Sequence, residues 1–109
     1  MDAQQRHERN VVARATRMVA KTYRVFRPLI FHPRHGSKAM RMARMISQYI
    51  AHCSGSVPMG HLAQLFNRSP AAVQRNIQVI EDMRDDPDFD RLMTTLETKF
   101  DGTHPNHQA

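Results

Sequence analysis

Across residues 69–80, spacing at roughly 100° per residue puts Ala71, Arg75 and Gln78 on one helical stripe, with Gln74 at its edge. Val73, Ile77 and Ile80 fall on the opposite stripe. The outward types suit the reading of base edges in a major groove. Arginine pairs in bidentate fashion with guanine, an amide such as glutamine does so with adenine, and a methyl side chain such as alanine meets thymine methyls. A solvated helix face has the same composition, so the stripe alone does not decide between the two readings. Ser69 is placed to cap the free N–H groups of the first turn, and Pro70 takes the helical position where a missing N–H costs nothing. With a shorter helical pattern before it and a tight break at Asn67-Arg68, the stretch Val57 to Arg84 has the form of a helix-turn-helix whose second helix is the reader.

Other chemistry is poorly provided for. The seven histidines are scattered, the carboxylates crowd into one late stretch, and no nucleophile is spaced to meet a base, so no enzyme is expected. His52, Cys53 and His61 suggest zinc, yet adjacent helical residues point in different directions and no fourth ligand follows. His32 and His35 have no Cys or carboxylate near them in sequence, so neither a metal nor a cofactor is expected. Cys53 stands alone, which excludes an internal disulfide, fits a reducing compartment and reads as a packed thiol.

The elements that must position the stripe are helical. A chain of 109 residues with an apolar fraction of 40%, eight Met, no Trp and no sustained period-2 run of β-branched residues predicts a single all-α domain of about five helices. Residues 3 to about 26 form the first, with Val11, Val12, Ala15, Met18, Val19, Thr22, Tyr23 and Phe26 inward and Arg14, Arg17, Lys21 and Arg24 on another face. Pro28, Pro33 and Gly36 make residues 27–37 a connecting loop. Ser37 caps a second helix through about His52, with Ala39, Met42, Ala43, Ile46 and Ile50 inward. Pro58 begins a short third helix that buries Met59, Leu62, Ala63 and Phe66. The reader helix follows, and Asp85-Asp86-Pro87 ends it and starts a last helix carrying Phe89, Leu92, Met93, Leu96 and Phe100. The domain is expected over residues 1–100, with 101–109 a loose tail.

Charge divides the chain. Residues 1–80 hold 13 Lys and Arg against 2 Asp and Glu, whereas residues 81–109 hold 3 against 8. The split points to a polyanion for the first part, with the acidic end kept off it. Arg34, His35 and Lys38 in and beside the loop, and Arg41 and Arg44 beyond it, are candidates for phosphate or minor-groove contact. A surface loop with solvated cations is the bland alternative. No apolar run reaches the length of a membrane span, and the N-terminus lacks the apolar core of a signal peptide, so a cytoplasmic location is expected.

Three segments keep the spacing of one family. Arg44-Met45-Ile46-Ser47-Gln48-Tyr49-Ile50, then Pro58-Met59-Gly60-His61-Leu62-Ala63-Gln64-Leu65-Phe66, then Asn67-Arg68-Ser69-Pro70-Ala71-Ala72-Val73 stand in the register of R-x-x-A-M-Y-L, S-L-x-x-I-G-x-x-F and G-R-D-H-[ST]-T-V without a gap. In this the chain resembles the C-terminal DNA-binding domain of the bacterial replication initiator DnaA, whose fold is related to that of the Trp repressor. The resemblance implies a Trp-repressor-like helix-turn-helix, double-stranded DNA as partner and association with the nucleoid. It also implies base reading or phosphate contact at Arg68, Ser69, Ala71 and Ala72, and a phosphate contact at His52. The signature is altered, because Ser69, Pro70, Ala71 and Ala72 replace the Asp, His and hydroxyl residues that follow Arg68 in the family. No G-x-x-x-x-G-K-[ST] loop occurs, so the initiator's ATPase is not expected.

The resulting expectation is a regulatory duplex-binding module that acts in transcription or replication initiation, with Arg68, Ser69, Ala71, Ala72, Gln74, Arg75 and Gln78 at the bases. The alternative is a protein-interaction module that kept the fold and lost the DNA chemistry, using the acidic 81–101 region to engage a basic partner.

Overall fold

The computed structural model describes residues 1–32 and 36–102, and every regular element in them is helical. Helix α1 (Ala3–Tyr23) starts in a capping box, with Asp2 Oδ1 accepting from the Gln5 N–H at 2.8 Å and Gln5 Oε1 accepting from the Asp2 N–H at 2.9 Å. It ends three residues before the expected limit. Arg24 adopts the left-handed conformation, φ 55, and the Val25 N–H returns to the Ala20 carbonyl at 3.0 Å, which closes the helix. Phe26 therefore leaves the inward face assigned to it and is 67% exposed, and Thr22, still within α1, is exposed as well.

The expected loop contains a 3-10 segment, Arg27–Phe31. The reversal at Arg24 lets this segment return toward the bundle, where Ile30 is fully buried and Phe31 stacks on Phe66 with ring centroids 5.1 Å apart. Helix α2 (Lys38–Cys53) is capped by Ser37, whose Oγ accepts from the Met40 N–H at 3.1 Å. From Ala43 through Ala51 every residue of α2 but Met45 is buried, because neighbours surround the helix. Ala39 and Met42 are corrected, since Ala39 is exposed, Met42 half-buried and Met40 fills the core. Cys53, expected as a packed thiol, is exposed at the end of α2.

Helix α3 (Met59–Leu65) follows a turn that contains Ser56 at φ 59, and a second left-handed residue, Asn67 at φ 54, separates it from α4 (Pro70–Met83). The Arg68 N–H returns to the Ala63 carbonyl at 2.9 Å, which satisfies the end of α3 across this short break. Helix α5 (Pro87–Gly102) runs two residues past the expected boundary of the tail. Residues 103–109 lie outside the described residues.

The arrangement centres on α2, against which α1 and α4 both pack. α3 packs on α4 and α2, and α5 packs on α1. Ile46, Ile50, Leu62, Phe66, Ile80, Met93, Leu96 and Phe100 are all at most 1% exposed, and side chains of this kind contribute about 1.5–3 kcal/mol each on burial. No described helix is long and apolar enough to cross a membrane.

Candidate nucleic-acid interface

Val73, Ile77 and Ile80 anchor α4 to the core, so the opposite stripe faces outward as its period requires. Ala71, Gln74, Arg75 and Gln78 are exposed, and Ala72 is half-buried. The Ser69 hydroxyl accepts from the Ala72 N–H at 3.1 Å, which ties the first turn of α4 and makes Ser69 a cap before anything else.

Polar contacts fix how α4 is turned against its neighbours. Gln48 is fully buried on α2, and its Oε1 accepts from Asn76 Nδ2 at 2.9 Å. One turn further along α4, the Tyr49 hydroxyl donates to Glu81 at 2.9 Å and accepts from Arg84 at 3.2 Å. Arg84 also binds Asp90 at 2.6 Å and Glu97 at 3.1 Å, so α4 is clamped to α5. Burial pushes the Tyr49 phenol up to about 12, with the Glu81 carboxylate acting in the same direction. Sequence reading did not mark Gln48 or Asn76 as a pair, because a residue facing α4 is off the inward stripe of α2 drawn for a helix buried on one side.

Four cations gather where the 3-10 segment meets the start of α4. Lys38 and Arg41 are exposed, and the Arg41 guanidinium donates to the Gly36 carbonyl. Arg44, expected as a phosphate contact on the flank of α2, is 7% exposed. Its Nε donates to the Ile30 carbonyl at 2.7 Å, and its Nη2 donates to the carbonyls of His32 at 3.0 Å and Leu29 at 3.4 Å. The apolar stem packs inside while the guanidinium shapes the connecting segment. Arg68, expected at the bases, is half-buried and shares the His32 carbonyl, with its Nη2 at 3.1 Å. Burial holds the Arg44 guanidinium below its ordinary range, and repulsion from Arg68 and Arg41 adds to the effect.

No Asp or Glu occurs between residues 9 and 80, so this cluster and the first two turns of α4 contain no carboxylate. The acidic end begins at the last turns of α4, where Gln78 Nε2 donates to Asp82 at 2.9 Å. His52 is half-buried, with Nδ1 2.8 Å from the Val57 carbonyl, to which it donates. Arg34 and His35 lie outside the described residues.

A separate polar pair was not foreseen. Glu8, only 4% exposed on α1, lies 2.9 Å from His61 Nδ1 on α3 and accepts from Gln4 at the same distance. Burial alone would raise its carboxyl, but the hydrogen bonds from Gln4 and His61 and the field of His61 and His7 outweigh it and hold the group below its ordinary value. The pair borders a cleft of about 500 Å³ that includes Asp2, Arg9 and Gln64. Among the described residues no three His, Cys, Asp or Glu side chains are grouped to hold a metal. No family model matches the chain, and no curated protein or solved structure is matched by it.

Proposed function

We propose that the chain is a helix-turn-helix protein that binds double-stranded DNA and acts as a regulator of transcription or replication initiation, without an ATPase of its own. The observation that carries this reading is the outward face of α4: Ala71, Gln74 and Arg75 are exposed on its first two turns, beside Lys38, Arg41 and Arg68, in a region with no carboxylate. Helix α4 enters the major groove with Gln74 and Arg75 at base edges, and the small side chains of Ala71 and Ala72 let the backbone approach closely. Lys38 and Arg41 take phosphates. Arg68 contributes charge at the start of α4, while Arg44 holds the connecting segment in place. The Asp82 end of α4 stays outside the groove, which fixes the direction of approach.

Fluorescence anisotropy of a labelled duplex, titrated at several salt concentrations, tests the reading. Contacts from Lys38, Arg41 and Arg68 give a slope of log affinity against log salt of roughly −2.7, at about 0.9 per phosphate neutralised. With Arg75 at a base edge, Arg75→Ala costs about 1–3 kcal/mol on the preferred sequence and less on others. A flat salt response, or equal affinity of the native chain and an Arg41→Ala/Arg75→Ala variant, refutes it.

A further inference from the structure

The proposed duplex contact leaves a second cationic surface unused. Arg6 and Arg17 fall on one stripe of α1 at roughly 100° per residue, with Lys21 at its margin and Arg24 at the cap that follows the helix. All four are exposed, while Val11, Val12, Ala15 and Val19 bury the other side of the helix. Among the described residues the ion pairs are His61 with Glu8, Arg84 with Asp90 and Glu97, and Arg91 with Asp88, so none of these four cations is neutralised.

The seam between α1 and α5 extends the surface. Met18, Lys21, Thr22 and Lys99 line an open groove of about 460 Å³, which presents two ammonium groups, a hydroxyl and no carboxylate. Lys99 belongs to the acidic end of the chain, where Arg84 and Arg91 are both paired; it alone is turned to the basic side. Asp101 is the nearby acid on α5, and its field acts on Arg14, whose guanidinium lies 4.3 Å above the Phe100 ring. This face is not the one that carries Arg75. α1 packs on α2 and α5, α4 packs on α2 and α3, and the buried middle of α2 lies between them.

We propose that the outer face of α1, with Lys99 of α5, is a second phosphate-binding surface that holds the backbone of another nucleic-acid segment, so that one molecule ties two duplex segments together. The proposal rests on the duplex-binding reading of α4. From Arg6 to Lys21 the helix advances 15 residues, about 22 Å at 1.5 Å per residue. That length passes about six or seven phosphates of one strand at 3.4 Å each, which suits a run of separated cations. A membrane-surface helix would need an exposed apolar face, and here the apolar side of α1 is spent on the core.

The test uses the full chain. A duplex fixed to beads is loaded with protein, washed and offered a second, fluorescent duplex. The native chain is expected to retain about one fluorescent duplex per loaded chain, about two-fold more than a dimer with one site per chain would hold. The variant Arg17→Gln/Lys21→Gln/Lys99→Gln, altered only at exposed positions, should load on the fixed duplex within two-fold of native and retain at least ten-fold less of the second. Retention of at most one duplex per chain in total, as a dimer with one site per chain would give, overturns the proposal; so does retention that survives the triple substitution. Vesicles of anionic lipid that bind the native chain but not the variant, with no second duplex retained, assign the cations to a membrane and overturn it as well. Failure to load on the fixed duplex removes the reading of α4 and this proposal together, whereas normal loading without a second duplex removes only the latter.

Discussion

Replacing Arg44 with methionine separates a scaffold role from a phosphate contact. The substitution keeps the buried stem and removes two well-formed hydrogen bonds, to Ile30 at 2.7 Å and His32 at 3.0 Å, and a longer one to Leu29 at 3.4 Å. Hydrogen bonds from a charged donor contribute about 1.5–3 kcal/mol each, and the two short ones set the gross loss at roughly 3–6 kcal/mol. Relief of an incompletely solvated cation, repelled by Arg68 and Arg41, returns part of that, so the expected net loss is about 2–4 kcal/mol. For a domain of this size the melting temperature should fall by roughly 8–32 °C, at about 4–8 °C per kcal/mol. Urea unfolding followed by helical circular dichroism measures it, since the chain has no Trp to report by fluorescence. At a temperature where the variant is folded, the salt slope of duplex binding should equal that of the native chain, whereas Arg41→Ala should lower it by about 0.9. A stability loss under about 1 kcal/mol together with a slope reduced by about 0.9 would refute the reasoning and return Arg44 to the phosphates.

Gly55 faces Val11 so closely that a β-carbon would overlap its Cγ1 and stand 2.8 Å from the Ala51 carbonyl; Gly55→Ala should cost about 1–3 kcal/mol in urea unfolding, and a neutral result would show that α1 can shift. Because the folded Tyr49 phenol is raised from 10.0 to about 12, its proton is held more tightly in the folded chain, and the associated stability is complete below pH 10 and lost between pH 10 and about 12. Melts across that window should show the loss in the native chain and not in Tyr49→Phe; an identical slope in both would remove the assignment. Glu8 is lowered below 4.5 in the folded chain, so its contribution is present above that pH and disappears as pH falls through the folded value. Glu8→Gln should flatten the acid limb of the stability profile, and an unchanged limb would place the acid sensitivity elsewhere.

The parts legible in the sequence were those set by local rules. Ser69-Pro70 marks the start of α4 because capping and the missing proline N–H act within one turn, and the Val73, Ile77, Ile80 stripe follows from a helix buried on one side. The helix that is surrounded defeated the same period: α2 buries Gln48 and Tyr49 along with Ile46 and Ile50, so a single inward stripe could not be drawn. The early end of α1 depends on Arg24 in a left-handed conformation and on a return of the chain held by distant partners, Phe66 against Phe31 and Arg44 at the Ile30 carbonyl. Nothing near Phe26 in sequence signals either. Glu8 and His61 are 53 residues apart, and their pairing is a product of packing alone.

The treatment of charge at the start of α4 is the feature that best connects the fold to the proposed binding. Guanidinium groups can be fixed by carboxylates or by carbonyls, and the two differ in what remains for an outside ligand. A carboxylate cancels the charge, as Asp90 and Glu97 do for Arg84 at the far end of α4. A carbonyl orients the group through its lone pairs and leaves the net charge in place. Arg44 and Arg68 share the His32 carbonyl, and Arg41 holds that of Gly36. The cluster is thus ordered by carbonyls, and burial first, with repulsion from Arg68 and Arg41 added, lowers the proton affinity of Arg44. An approaching phosphate relieves that repulsion and needs little rearrangement of groups already positioned, so binding gains from both terms. The same logic predicts that placing a carboxylate inside the cluster, as in Ser37→Glu, would hold the cations equally well and still weaken duplex binding. Equal affinity for that variant at low salt would show that the field at this end of α4 does not contribute.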